Sequence, residues 1–444
     1  MARRRQKVRK FSTDPIPAKI ESLTHEGKGV THIDGKATFV SGALPGEEVM
    51  IRLFNRHRNY DEAATVEVLK ASPDRVEAKC PYYDLCGGCS LQHLSHEAQV
   101  NAKQSVLVEV FEHLGKLEIP QILEPITGDV WGYRRKARLG VRFVTKKDKV
   151  LVGFRERASS FIAELSRCEV LHPAVGEKLP ELAELVQSLS IFNQLPQIEV
   201  AVADNTTALV FRNLADVTDE DKHKLIDFGL THEMQIYLQP KGPKTVHCIM
   251  PEEDGLVYHL PEYEVENHFR PTDFTQVNHS INHQMVKKAL ELLQLTGEDR
   301  VLDLFCGLGN FTLPVSRQAG AVVGVEGDLG LVERARENAR FNKAENVEYH
   351  VSDLTEDMLT APWASGGFNK VLLDPPRSGA FEVLPLIAKL GPEHIVYVSC
   401  NPATLARDAG ELVHQLGYRL VSAGIMDMFP HTGHVESIAL FEKK

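Results

Sequence analysis

Short alternations of apolar and polar residues fill the chain from Ala18 to Lys70. Runs such as ATFV and EEVMIRLF, separated by turn signals at His32–Gly35 and Leu44–Gly46, have the period of two that predicts a small antiparallel β barrel over residues 12–70. Between 95 and 116 the period lengthens, and Val100, Leu107, Val110, Phe111 and Leu114 fall on one side of a predicted amphipathic helix. The strand-like segments ARLGVRFV, QIEVAVA, TALVF and MQIYLQP predict a mixed α+β central domain over 71–265, with the 95–116 helix able to pack elsewhere. From about residue 280, strands such as VLDLF, VVGVE, KVLLDPP and HIVYVSC alternate with helices such as INHQMVKKALELL and ERARENARFN. Apolar runs with helices between them predict a doubly wound α/β sheet, buried on both faces, in a domain over 266–444. The chain is therefore expected to be multidomain, as its 444 residues also suggest.

Composition narrows the class. No apolar run approaches the roughly 18 residues of a membrane span. The opening MARRRQKVRK is cationic but is followed by FSTDPIPAKI, which lacks the apolar stretch of a secretory signal, so a cytoplasmic protein is expected. Seven cysteines, an odd number unevenly spread, point to metal binding or catalysis before a disulfide framework. The net charge of -11 hides local cation runs: residues 1–79 hold 15 Lys/Arg against 11 Asp/Glu. The segment WGYRRKARLGVRFVTKKDK groups Arg134, Arg135, Lys136, Arg138, Arg142, Lys146, Lys147 and Lys149 with Trp131, Tyr133 and Phe143, and cations with stacking rings suit RNA. An ordinary solvated basic surface would account for the charge alone equally well.

Val301 to Asn310 reads as a strand, a glycine turn and the start of a helix. Gly307 and Gly309 allow a sharp turn and close approach to a ligand. Glu326 closes the next strand, where a carboxylate can accept both hydroxyls of an adenosine ribose, and Asp353 ends the third, where an adenine contact is expected. The run D-L-F-C-G-L-G-N departs from the dinucleotide fingerprint G-x-G-x-x-G, so S-adenosylmethionine fits better than NAD. Individually such carboxylates can be plain strand-end solvating groups. Their placement on successive strand ends favours a ligand site.

The fourth strand ends in Asp374-Pro375-Pro376-Arg377, the fifth delivers Cys400, and the last strand presents Glu436. C5 of uracil is a poor nucleophile. Addition of a thiolate at C6 leaves an enolate whose charge reaches C5, which can then attack a methyl sulfonium; a base must remove the C5 proton before the thiolate leaves. That chemistry needs one cysteine and one base, here Cys400 and Glu436. A lone cysteine is more often a small buried hydrophobe.

DLFCGLGNF, VLLDPPRSG, VYVSCNPATLARD and HTGHVESIA resemble the motifs of RNA uracil-C5 methyltransferases, and residues 18–70 resemble the TRAM domain, an oligonucleotide-binding-like barrel. The resemblance runs from about residue 12 to the C-terminus. It implies a Rossmann-like class I methyltransferase domain with Cys400 as nucleophile and Glu436 as general base. It also implies S-adenosylmethionine contacts at Gln276, Phe305, Asn310, Glu326, Asp353 and Asp374, and Phe274 packing against a flipped base. Cys80, Cys86 and Cys89, in C-x5-C-x2-C, together with Cys168 could hold zinc or a [4Fe–4S] cluster by spacing alone. The resemblance implies the [4Fe–4S] cluster. With the barrel, it also implies 23S ribosomal RNA as partner, since transfer-RNA members generally lack both features. No obligate protein partner is expected. Exocyclic-amine methylation would prefer an aromatic residue after DPP, and a non-catalytic RNA-binding or assembly factor would need neither Cys400 nor Glu436.

Overall fold

The computed structural model describes residues 14–24, 26–251, 255–354 and 361–444. The basic run MARRRQKVRK and the first two residues of the expected barrel lie outside the described residues. Contacts divide the chain into two compact units: residues up to Tyr83 with 89–102 and 431–434, and residues 84–88, 103–430 and 435–444.

The first unit carries a six-stranded sheet of β1 (Ile16–Lys19), β2 (Ser22–Leu23), β3 (Gly29–Ile33), β4 (Lys36–Ser41), β5 (Glu48–Arg56) and β6 (Tyr60–Lys70), in the order β1-β5-β6-β4-β3-β2. Alternate residues point inward, and Ile20, Val40, Val49, Ile51 and Ala63 form its core. One pairing differs from the expected antiparallel pattern. β4 and β6 run parallel, because β5 lies on the far side of β6. Glu47, buried beneath this sheet, is held by the Arg75 guanidinium at 2.5 and 2.8 Å.

Helix α1 (His96–Val110) contributes residues to both units and ends in a π-helical turn at Phe111–Gly115; β7 (Gln121–Ile122) follows. In the second unit, β8 (Lys136–Val144), β9 (Lys149–Gly153), β10 (Gln197–Val202), β11 (Thr207–Arg212), β12 (Met234–Gln239) and β13 (His247–Met250) form a mixed sheet. Helices α2 (Pro173–Gly176), α3 (Leu179–Ser188) and α4 (Asp219–His232) accompany it. A hairpin of β14 (Leu256–Leu260) and β15 (Val265–Phe269) leads to α5 (His279–Leu293).

The chain then winds through β16 (Arg300–Leu304), α6 (Thr312–Ser316), β17 (Ala321–Glu326), α7 (Leu329–Phe341), β18 (Val347–Val351) and β19 (Lys370–Leu373). It continues through α8 (Leu384–Leu390), β20 (His394–Ser399), α9 (Pro402–His414), β21 (Tyr418–Met426) and β22 (Glu436–Lys443). The sheet order is β18-β17-β16-β19-β20-β22-β21-β7. Strands β16, β19 and β20 are almost wholly buried, which explains their unbroken apolar sequences. The order reverses between β16 and β19, and in such sheets ligands bind at the carboxyl ends beside that switch.

Residues 111–122 join this sheet: β7 pairs with β21, and Gly115 lies so close to α9 that an added Cβ would fall 2.8 Å from the Ala406 carbonyl oxygen. Among the described residues no helix is long and apolar enough to cross a membrane.

Candidate active site

The turn after β16 is built by backbone conformation. Phe305, Gly307 and Gly309 all have positive φ, at 64°, 55° and 94°. A Cβ on Gly309 would lie 2.6 Å from the Tyr349 hydroxyl, whereas around Gly307 there is open space. Glu326, at the end of β17, accepts the N–H groups of Gly307, Gly327 and Asp328 at 3.2, 2.8 and 3.1 Å, which pins its carboxylate beside the turn. Beneath lies Asp303, wholly buried; one oxygen accepts the Thr312 hydroxyl at 2.5 Å and Oδ1 has no partner. Burial pushes its carboxyl up to about 7, with the negative charge of Glu326 adding to the effect. Asn310 is fixed by reciprocal amide bonds with Asn282 at 2.9 and 3.0 Å and by the Tyr258 hydroxyl at 3.1 Å. Gln276 is half-buried just before the cap of α5, and Asp353 is exposed two residues past β18.

Cys400 occupies the junction between β20 and α9. Asn401 caps that helix by accepting the Ala403 N–H at 3.1 Å, and Pro402 occupies its first turn. The same Asn401 donates to the Arg377 carbonyl at 3.1 Å, tying the nucleophile's turn to the DPPR loop. Ser399 pairs with Ser437 in antiparallel register, so the next position sets Cys400 opposite Glu436 at the sheet's end. Glu436 is 9% exposed and Cys400 is partly open. Burial pushes the Cys400 thiol up to about 11, the charges of Glu436 and Asp374 push the same way, and Arg377 opposes them. Asp374 is itself held well above the usual carboxylate range by burial, then by Glu436 and Asp303. The site thus gathers a protonated thiol and several carboxylates, an environment prepared for a cation.

One supporting residue escapes sequence reasoning. Lys103 lies on the buried stripe of α1 with Val100, Leu107 and Phe111, where a lysine is out of place. Its ammonium, 3% exposed, donates to Asp427 at 2.6 Å and to the Phe429 carbonyl at 3.0 Å; burial pushes the ammonium below the usual lysine range, and the charges of Asp427 and Glu436 oppose this.

Phe274 is 71% exposed at the tip of the segment between β15 and α5. That segment is clamped: Lys136 donates to the Pro271 carbonyl, Arg334 reaches Asp273 at 2.5 Å, and Asp273 accepts the Arg270 N–H at 2.8 Å. Lys136 also faces Glu199 at 3.8 Å, and Arg135 pairs with Asp204. Arg134 donates to the Lys136 carbonyl at 3.0 Å and stands over the Phe429 ring. All three are engaged with protein partners; further along the stretch Arg138, which also pairs with Glu199 at 3.5 Å, Arg142, Lys146, Lys147 and Lys149 are exposed.

Cys80, Cys86, Cys89 and Cys168 are partly buried, and burial raises the Cys86 thiol. Among the described residues no group of three His, Cys, Asp or Glu side chains is placed to hold a metal ion.

The model of tRNA (uracil-5-)-methyltransferases matches residues 95–444, and the TRAM domain model matches 14–69. The chain belongs to the uracil-5 methyltransferase family. Within it, the chain is 55% identical over its full length to the 23S rRNA (uracil(1939)-C(5))-methyltransferase RlmD of Alkalilimnicola ehrlichii, covering 99% of that protein. It is 53% identical to the protein of the same name from Nitrosococcus oceani, over 98% of each. Among solved structures of the family, the Pyrococcus abyssi tRNA (uracil-54, C5)-methyltransferase in complex with S-adenosyl-L-homocysteine is 25% identical. It covers 97% of this chain and 100% of its own, with a TM-score of 0.74. Family membership accounts for a TRAM domain over the six-stranded sheet and for the Rossmann-like sheet that follows.

Proposed function

We propose that the protein transfers a methyl group from S-adenosylmethionine to C5 of a uridine in 23S ribosomal RNA, through a covalent bond between Cys400 and C6. The observation that supports the covalent route is the register that sets Cys400 opposite Glu436 beside the β16–β19 switch. The donor fits the turn after β16: the unpartnered Asp303 Oδ1, the open backbone at Gly307 and the carboxylate of Glu326 match a ligand bearing cationic groups and a ribose. Gln276, Phe305, Asn310, Asp353 and Asp374 complete the proposed donor contacts. S-adenosylmethionine supplies a methyl group activated by its positive sulfonium.

The Cys400 thiol loses its proton to solvent, to which it is partly open, and the sulfur bonds to C6. The C5–C6 π electrons move into the C4 carbonyl as an enolate; C5 then bonds to the methyl carbon as the methyl–sulfur bond breaks, and S-adenosylhomocysteine is the leaving group. Glu436 takes the C5 proton. The C5–C6 double bond re-forms and the Cys400 thiolate leaves, while Glu436 returns its proton to solvent. Phe274 offers an exposed ring to a base brought out of its stack. Lys136 acts on RNA indirectly, by holding the Phe274 segment. The working compartment is the cytoplasm. Nucleoside mass spectrometry of RNA from a strain lacking the gene is expected to lose 5-methyluridine from one position of 23S RNA; loss from transfer RNA alone contradicts the assignment.

Cys80, Cys86, Cys89 and Cys168 are proposed as ligands of a [4Fe–4S] cluster, on the chemistry of four thiols and the motif resemblance. No catalytic step is assigned to the cluster. Protein purified without oxygen is expected to carry about four irons per chain. Zinc without iron, or neither metal, contradicts the cluster.

A further inference from the structure

A cavity of about 520 Å³ opens between the β12–β13 region, the segment before Phe274, and α7. Among the described residues its lining brings Lys244, His247, His268, Arg270 and Arg334 together from separate parts of the chain, with Glu337 as the carboxylate. The volume falls within the ~300–1,000 Å³ of small-ligand sites. Lys244, His247 and Arg270 are exposed, so their charged ends are available at its mouth. Arg334 spends one guanidinium nitrogen on Asp273 at 2.5 Å, while its buried Nε has no partner.

We propose that this cavity binds a phosphodiester of the RNA strand close to the target uridine, an inference that rests on the RNA methyltransferase reading above. Lys244 and Arg270 are exposed permanent cations at the mouth, and the buried Arg334 Nε is a further donor without a partner, a set that suits an anion. Arg270, Pro271 and Thr272 form part of its wall, and Phe274 follows Arg270 by four residues, at most ~14 Å of chain. An anion held there is therefore a near neighbour of whatever stacks on the Phe274 ring. Cations next to an exposed aromatic are the pattern by which single-stranded RNA is held. The clamp of Lys136 and Arg334 on this segment fixes the cavity wall and the ring together. Docking of the strand's phosphate would thereby set the register of the flipped base.

The test uses the full-length protein and a labelled RNA oligonucleotide containing the target uridine, with binding measured across a range of KCl concentrations. The double variant Lys244→Ala/Arg270→Ala is expected to weaken binding several-fold and to lower the slope of log K against log salt by ~1.4, about 0.7 per lost phosphate contact. Affinity for S-adenosylmethionine is expected to stay at the wild-type value, which checks folding. Lys136→Met, by contrast, is expected to weaken RNA binding with an unchanged slope. A wild-type slope in the double variant overturns the proposal. So does a variant that loses binding of inorganic phosphate while holding RNA normally, which would assign the cavity to a free anion. Wild-type protein that neither binds nor methylates any uridine-containing RNA would instead remove the underlying reading.

Discussion

Glu436→Gln is expected to leave the protein attached to its RNA. The amide cannot accept the C5 proton, yet the preceding steps, bond formation from Cys400 to C6 and methyl transfer to C5, do not require it. The variant should therefore transfer one methyl group per chain and stop, with turnover reduced by roughly 10²–10⁴, the usual contribution of a general base. A denaturing gel with labelled RNA reads the attachment as a slow band. Mass spectrometry of that band is expected to show a methylated, still saturated uracil. Turnover at the wild-type rate would dismiss Glu436 as the base. The register from Ser399–Ser437 supports this assignment, since no other carboxylate in the site begins a strand paired with β20.

Lys103→Ala is expected to be among the most destabilising single changes in the second unit. Lys103 and Asp427 are 3% and 0% exposed, and removing one member of such a pair leaves a buried charge without its partner. Breaking a buried pair costs about 3–5 kcal/mol. The thermal midpoint should fall by on the order of 10 °C. Replacing both members, as Lys103→Met with Asp427→Leu, is expected to recover most of the loss, because exchange of a whole buried pair for apolar residues is often neutral. A melting curve unchanged by Lys103→Ala would show that the pair carries little of the stability. Scanning calorimetry of the three proteins decides between these outcomes.

These two residues mark the limits of what the sequence reveals. Glu326, Asp374, Cys400 and Glu436 were legible because each follows or begins an apolar run buried on both faces, and where such a run ends the chain emerges at the sheet's edge. Lys103 carried a weak signal, a cation on the apolar stripe of a helix. Its partner, however, is 324 positions away, and periodicity reports burial without saying which distant polar atoms meet. Asn310 illustrates the same limit, since its amide is oriented by Tyr258 and Asn282 from two other elements.

Charge counting does not say what each cation meets inside the protein. In the cationic stretch, internal carbonyls, rings and carboxylates engage Arg134, Arg135 and Lys136. Arg138 and Arg142, on the same face of β8 as Lys136, are exposed. The cysteines remain the least legible part. Their spacing suits two metals, and spacing alone does not choose between them.

The account depends most on Cys400 forming a bond to the target base. RNA carrying 5-fluorouridine at the target position tests this directly, because fluorine cannot leave as the C5 proton does and the adduct is held at that stage. With S-adenosylmethionine present, wild-type protein is expected to give a stable slow band on a denaturing gel. Digestion of that band should yield one modified peptide, joined to fluorinated, methylated uracil through Cys400. Cys400→Ala should give neither band nor product. An absent band with the wild-type protein, or one that persists in Cys400→Ala, would contradict covalent catalysis by this residue.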